Sequence, residues 1–143
     1  MILNFPDLQL AVSSMIQTHL KADDLSSAAS LTVQQAKNIA REMENRFDAG
    51  VAPLQAWAAA DGAATVNAYV VAQARQGPPA NTMARIGNAA TAINALKVYV
   101  RATVMTLVEG DDFTRAVLPA AELAEINRLA ALIKPPLAAF LPG

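Results

Sequence analysis

Residues 82–109, TMARIGNAATAINALKVYVRATVMTLVE, are the stretch whose pattern decides the fold. Its charged residues are Arg85, Lys97, Arg101 and Glu109. At about 100° per residue, Ile86, Ala90, Ile93, Val100, Val104 and Leu107 fall on one helical face. Met83, Leu96, Val98, Met105 and Val108 broaden that face. The opposite side, Ala84, Thr91, Ala92, Ala95, Tyr99, Ala102 and Thr106, is small or weakly polar and carries no charge. A helix that is apolar or small all round expects to be surrounded. The pattern therefore predicts a long central helix over 82–109, with its small-residue back available to another chain.

The rest of the chain supplies shorter helices around it. Asn4, Pro6 and Asp7 suit the first turn of a helix. Leu8, Val12, Met15, Ile16 and Leu20 form its stripe, and Lys21-Ala22-Asp23-Asp24 is expected to end it. Leu25 to Ser30 reads as a serine-rich loop. Thr32-Val33-Gln34-Gln35 matches a capping box, followed by a face of Val33, Ala36, Ile39 or Ala40, Met43 and Phe47. Glu42 and Arg46 are ordered for an i,i+4 pair, and Gly50 is expected to end this helix. Pro53 should open the next element. Residues 51–76 read as either one helix kinked at Asp61-Gly62 or two, ended by Gly77-Pro78-Pro79. Beyond 109, Gly110 terminates the central helix and Asp111 and Asp112 cap a short turn. Pro119 opens a last helix with a stripe of Leu123, Ile126, Leu129, Ala130 and Ile133. Pro135-Pro136 stops it, leaving residues 136–143 as an extended, uncharged apolar tail. The expected fold is all-α: residues 1–143 as one domain, a bundle of about five helices.

Composition bears on surface more than on core. The 143 residues (15.0 kDa) suffice for one domain with a real core. Charged residues make up 16%, against about 25% in ordinary domains. Roughly a fifth of the chain is alanine, which tolerates water or a close neighbour equally. Few charges are available to solvate the exterior, so part of it is expected to meet other protein. A net charge of −1 and a pI near 5.7 offer no electrostatic case for nucleic acid. Without cysteine there are no disulfides, thiolate metal sites or thiol nucleophiles. Met1 to Asp7 lacks the basic and apolar regions of a signal peptide, and uncharged runs such as Gly62 to Ala74 are too short to span a bilayer. The expected location is cytoplasm or virion, with no membrane partner.

Catalytic chemistry finds little material. His19 is the lone histidine and has no second histidine or thiol for a metal or nucleophile site. Near the end of a helix it favours the dipole. The acidic clusters Asp23-Asp24 and Glu109-Gly110-Asp111-Asp112 are too short for a calcium loop and sit at helix boundaries. No phosphate-binding glycine loop and no Gly-x-Ser-x-Gly occur. The expectation is no catalytic, cofactor or metal residue and no enzymatic activity.

Lys97 and Arg101 carry more information. They lie one turn apart within an apolar arc. Either their stems rest on apolar surface with the heads in water, or they are half-buried and matched by carboxylates from Glu122, Glu125 or a neighbouring subunit. The apolar tail either folds back or docks on a neighbour; the prolines before it favour the neighbour. Candidate interface residues are thus Lys97, Arg101, Leu137, Phe140 and Leu141. The expected function is a non-enzymatic structural subunit of a larger oligomer, of ring, connector or adaptor type. Its partners would be copies of itself and a different protein. Small all-α connector, adaptor or completion proteins of tailed-phage virions fit that physical description, although no motif of such a family is present. The alternative is a ligand-binding or regulatory helical domain with an apolar pocket near Trp57 and Tyr99.

Overall fold

The computed structural model describes residues 5–74, 81–107 and 116–142. These form helices α1 (Phe5–Ser27), α2 (Val33–Asp61), α3 (Ala63–Ala74), α4 (Thr82–Ala102), α5 (Ala120–Ala131) and α6 (Lys134–Leu137). Short 3-10 turns follow α4 (Val104–Thr106) and α6 (Ala138–Phe140). The fold is all-α, and no strand occurs among the described residues. The features expected at Asn4, at 75–79 and at 108–112, including the acidic cluster at 109–112, lie outside them.

The most extensive packing joins α1 to α2, and α1 also packs on α5 and α6. Leu8, Ala11, Met15, Thr18, Ala22 and Leu25 supply the buried face of α1. That face continues through Asp23-Asp24, so α1 does not stop there; the hydroxyls of Ser26 and Ser27 donate to the carbonyl of Asp23 in its last turn. Leu20, expected in the stripe, is exposed. The end of α1 is tied down from far along the chain. The Asn127 amide of α5 donates to the carbonyls of Leu25 (2.6 Å) and Ala28 (3.3 Å), satisfying oxygens that a helix C-terminus leaves open.

The capping box forms as expected: Thr32 Oγ1 accepts from the Gln35 N–H and Gln35 Oε1 from the Thr32 N–H. Beside it, Leu31 and Val33 pair in antiparallel fashion with Ala116 and Leu118, so the connection into α2 and the approach to α5 brace each other. Gly50 does not end α2, and Pro53 does not open a new element. One helix of 29 residues runs through both. Gly50 is buried where α1 crosses, and an added Cβ would lie 2.9 Å from the Ala11 carbonyl oxygen. The break comes at Gly62, whose φ of 93° is a conformation that favours glycine. Residues 51–74 therefore belong to two helices.

Three further expectations are corrected. The helix beginning at Thr82 ends at Ala102, and Thr103 leaves helical geometry (φ −121°, ψ −57°). Val98, Val100, Thr103 and Val104 are β-branched and weaken the helix there, while the 3-10 turn seats Val104 in the core. Nor is α4 enclosed: Ile86, Ala89, Ile93, Leu96 and Val100 bury one face, and Ala90 and Val98 are exposed. The C-terminal segment, expected as an extended tail, is folded back. Pro135 and Pro136 occupy the opening turn of α6, where a missing N–H costs nothing, and Leu137 (0% exposed) and Phe140 (1%) enter this chain's own core. Buried side chains from every helix form one cluster.

Candidate interaction surfaces

A groove of about 400 Å³ lies between α2 and α4. Phe47 and Asp48 border Ala90 and Asn94 near one end, and Glu44 meets Lys97 farther along. The two helices thus run in opposite directions, and the groove continues past Arg41 and Arg101 to Lys37 and Met105. Its floor is apolar because Met43, Ile93, Leu96 and Val100 repeat at helical spacing on the facing sides of the two helices and are all buried. Its rims are cationic: Lys37 and Arg41 stand one turn apart on α2, and Lys97 and Arg101 one turn apart on α4.

Lys97 Nζ donates to Glu44 Oε1 at 2.8 Å, with both side chains about one-third exposed. Lys97 is therefore half-buried and paired, but with Glu44 of α2 and not with Glu122 or Glu125. Glu125 pairs with Arg128 one turn on, which holds the Glu125 carboxyl below its usual pKa. Arg101 is exposed. Among the described residues no carboxylate pairs with Arg101, Arg41 or Lys37.

The second surface is the outward side of α4. Ala84, Asn88, Thr91, Ala95, Val98 and Ala102 are all exposed and lie on one line along the helix. Asn94 and Gly87 flank that line, and no charge falls on it. Of the expected interface residues, Lys97 and Arg101 stand on the groove rims, Leu137 and Phe140 have no surface to offer, and Leu141 is half-buried.

The remaining candidates separate. Trp57 lines a shallow apolar groove between α1 and α2, beside Leu10 (67% exposed) and Pro53. Tyr99 faces α5, where burial and the nearby Glu122 and Glu125 carboxylates raise its pKa. The two rings therefore do not line one pocket. His19 is half-buried near Lys134, whose ammonium donates to Asp23 at 2.6 Å. Burial and the Lys134 charge lower the His19 pKa, with Asp23 opposing them. Asp23 is thus committed to an ion pair that lowers its own pKa. Among the described residues no three His, Asp or Glu side chains converge as metal ligands, and no helix is long and apolar enough to cross a membrane.

The groove was legible in part: the rows Lys37/Arg41 and Lys97/Arg101 are visible as i,i+4 cations. That they flank one cleft depends on the antiparallel packing of α2 on α4. Compared with protein-family models, with curated proteins and with solved structures, the chain matches none.

Proposed function

We propose that this chain is a non-enzymatic structural subunit of a larger oligomeric assembly, of ring, connector or adaptor type such as a phage virion uses. It would be joined to copies of itself and to a different protein by helix packing. The observation that carries this reading is the outward side of α4. Along Ala84, Asn88, Thr91, Ala95, Val98 and Ala102 the steps alternate between four and three residues, the 3.5-residue repeat at which two helices stay in contact. The line runs over roughly 27 Å of helix. Small side chains allow a second helix to approach closely. Asn88 is the kind of single polar position that sets register at some cost in stability. Val98 is 54% exposed, and Leu132, just past the end of α5, is 53% exposed beside the N-terminal part of α4. Such neutral, apolar exposure in a chain poor in charge is what a subunit covered by neighbours presents.

Light scattering with native mass measurement at micromolar concentration tests it. The expected mass is a multiple of 15.0 kDa. Ala95→Arg, which puts a charge in the middle of the line, should return a monomer of unchanged helicity. A wild-type chain that stays a monomer across the micromolar range sinks the proposal.

A further inference from the structure

Resting on the subunit reading above, we infer that the outward side of α4 is covered, head to tail, by the outward side of α1 of the next copy. Leu10, Ser13, Gln17, Leu20 and Asp24 follow one another along α1 in steps of three, four, three and four. Leu10 is 67% exposed and Leu20 54%. No Asp, Glu, Lys or Arg occurs from Leu8 to Leu20, so this stretch carries few groups that water solvates strongly. On α4, Asn88, Thr91, Ala95, Val98 and Ala102 repeat the same steps. Equal spacing at the 3.5-residue repeat lets the two lines run side by side over their whole length.

What each line lacks, the other supplies. The α4 line is made of small side chains with Val98 as its bulky apolar group, whereas α1 projects two leucines. Leu10 and Leu20 are ten positions apart, as are Asn88 and Val98, about 15 Å along either helix. With the helices parallel and Leu20 against Val98, Leu10 therefore reaches the cleft of about 440 Å³ lined by Ala84, Asn88, Leu132 and Pro135. The same register sets Ser13 against Thr91 and Asp24 beside Arg101. Those two charges are exposed, of opposite sign, and in no ion pair among the described residues. Two copies of α4 set face to face would instead bring bases together, because α4 carries no acid and Arg85 and Arg101 stand near the ends of its line.

Topology makes the contact head to tail. Helices α1 and α4 both pack on α2, α5 and α6, which stand between them. Their lines therefore look out from opposite sides of the molecule. Two unlike surfaces so placed cannot both be satisfied within a dimer; copies add until a ring of three or more closes or a chain extends.

Face-blocked variants of the full chain test this by light scattering and native mass at micromolar concentration. Leu20→Arg blocks one line and Ala95→Arg the other; each alone should be a monomer with wild-type helicity. Mixed in equal amounts they should form a one-to-one dimer of twice 15.0 kDa, because one open line of each kind remains. Asp24→Arg and Arg101→Asp should each weaken association about fivefold, and the double reversal should recover it. A wild-type dimer, a mixture that stays monomeric, or a double reversal without recovery would overturn the inference. A wild-type monomer would sink the subunit reading together with it. An oligomer indifferent to Leu20→Arg would sink head-to-tail docking alone.

Discussion

A methyl group at position 50 has no room. Its carbon would lie 2.9 Å from both the Ala11 carbonyl oxygen and the Met15 methyl, and 3.2 Å from Ser14 Cβ. The methionine can swing aside; the carbonyl belongs to the facing helix and cannot. Gly50→Ala gains about 1 kcal/mol of helix propensity, but overpacking costs about 1–3 kcal/mol. A net loss of stability is expected in urea denaturation, and equal or greater stability would show that the crossing has slack. In the sequence this glycine looks like a helix terminator, because its reason for being there sits 39 residues earlier. His19 makes a prediction of different kind. Burial and Lys134 hold its folded pKa below 6.5, so the unfolded chain takes up a proton first as pH falls. The contribution of His19 is complete above that value and declines below it. The thermal midpoint should drop between about pH 7.5 and about pH 5.5, and His19→Gln should flatten the slope. Asp23 and Glu125, with pKa values lowered from 3.8 and 4.5, add stability that is present above those values and lost only at lower pH, outside that window.

Helix starts were easier to read than helix ends. The α2 start was visible because Thr32 and Gln35 meet only each other's backbone, three residues apart. Thr32→Ala should cost about 1 kcal/mol, seen as a lower urea midpoint with unchanged slope; no loss would mean that the pairing with Ala116 and Leu118 alone holds this end. The ends of α1 and α4 were misjudged for opposite reasons. Helix α1 continues past two aspartates because Ala22 and Leu25 still bury and Asn127 receives its last carbonyls. Helix α4 stops within an apolar stripe where Thr103 leaves helical geometry among the β-branched Val98, Val100 and Val104, and the 3-10 turn that follows still buries Val104. Asp61-Gly62 was legible as an interruption, either kink or break, and the positive φ of Gly62 makes it a break.

At the scale of the molecule, the C-terminal segment decides how much apolar surface remains. Seated in the core, Phe140 is part of what holds α3 and α6 in place. Phe140→Ala should therefore cost about 3–5 kcal/mol of unfolding free energy. Were this segment instead a hook for a neighbour, the change would lower oligomer mass and leave the stability of the monomer intact. With the tail accounted for, the shortage of charge falls on the outward line of α4 and on the exposed alanines of α3 and α5. Association is expected there.

All-α architecture, the helical stripes of α2 and α5, the capping box and an interruption at Asp61-Gly62 were determined by the sequence alone. Each rests on residues within a turn or two of one another, so period and local hydrogen bonding suffice. Tertiary structure decided that Gly50 is a crossing point, that Lys97 pairs with Glu44, that the prolines turn the tail inward, and that one side of α4 stays bare. Those outcomes depend on which distant helix arrives and at what distance, and no local pattern of side chains encodes that.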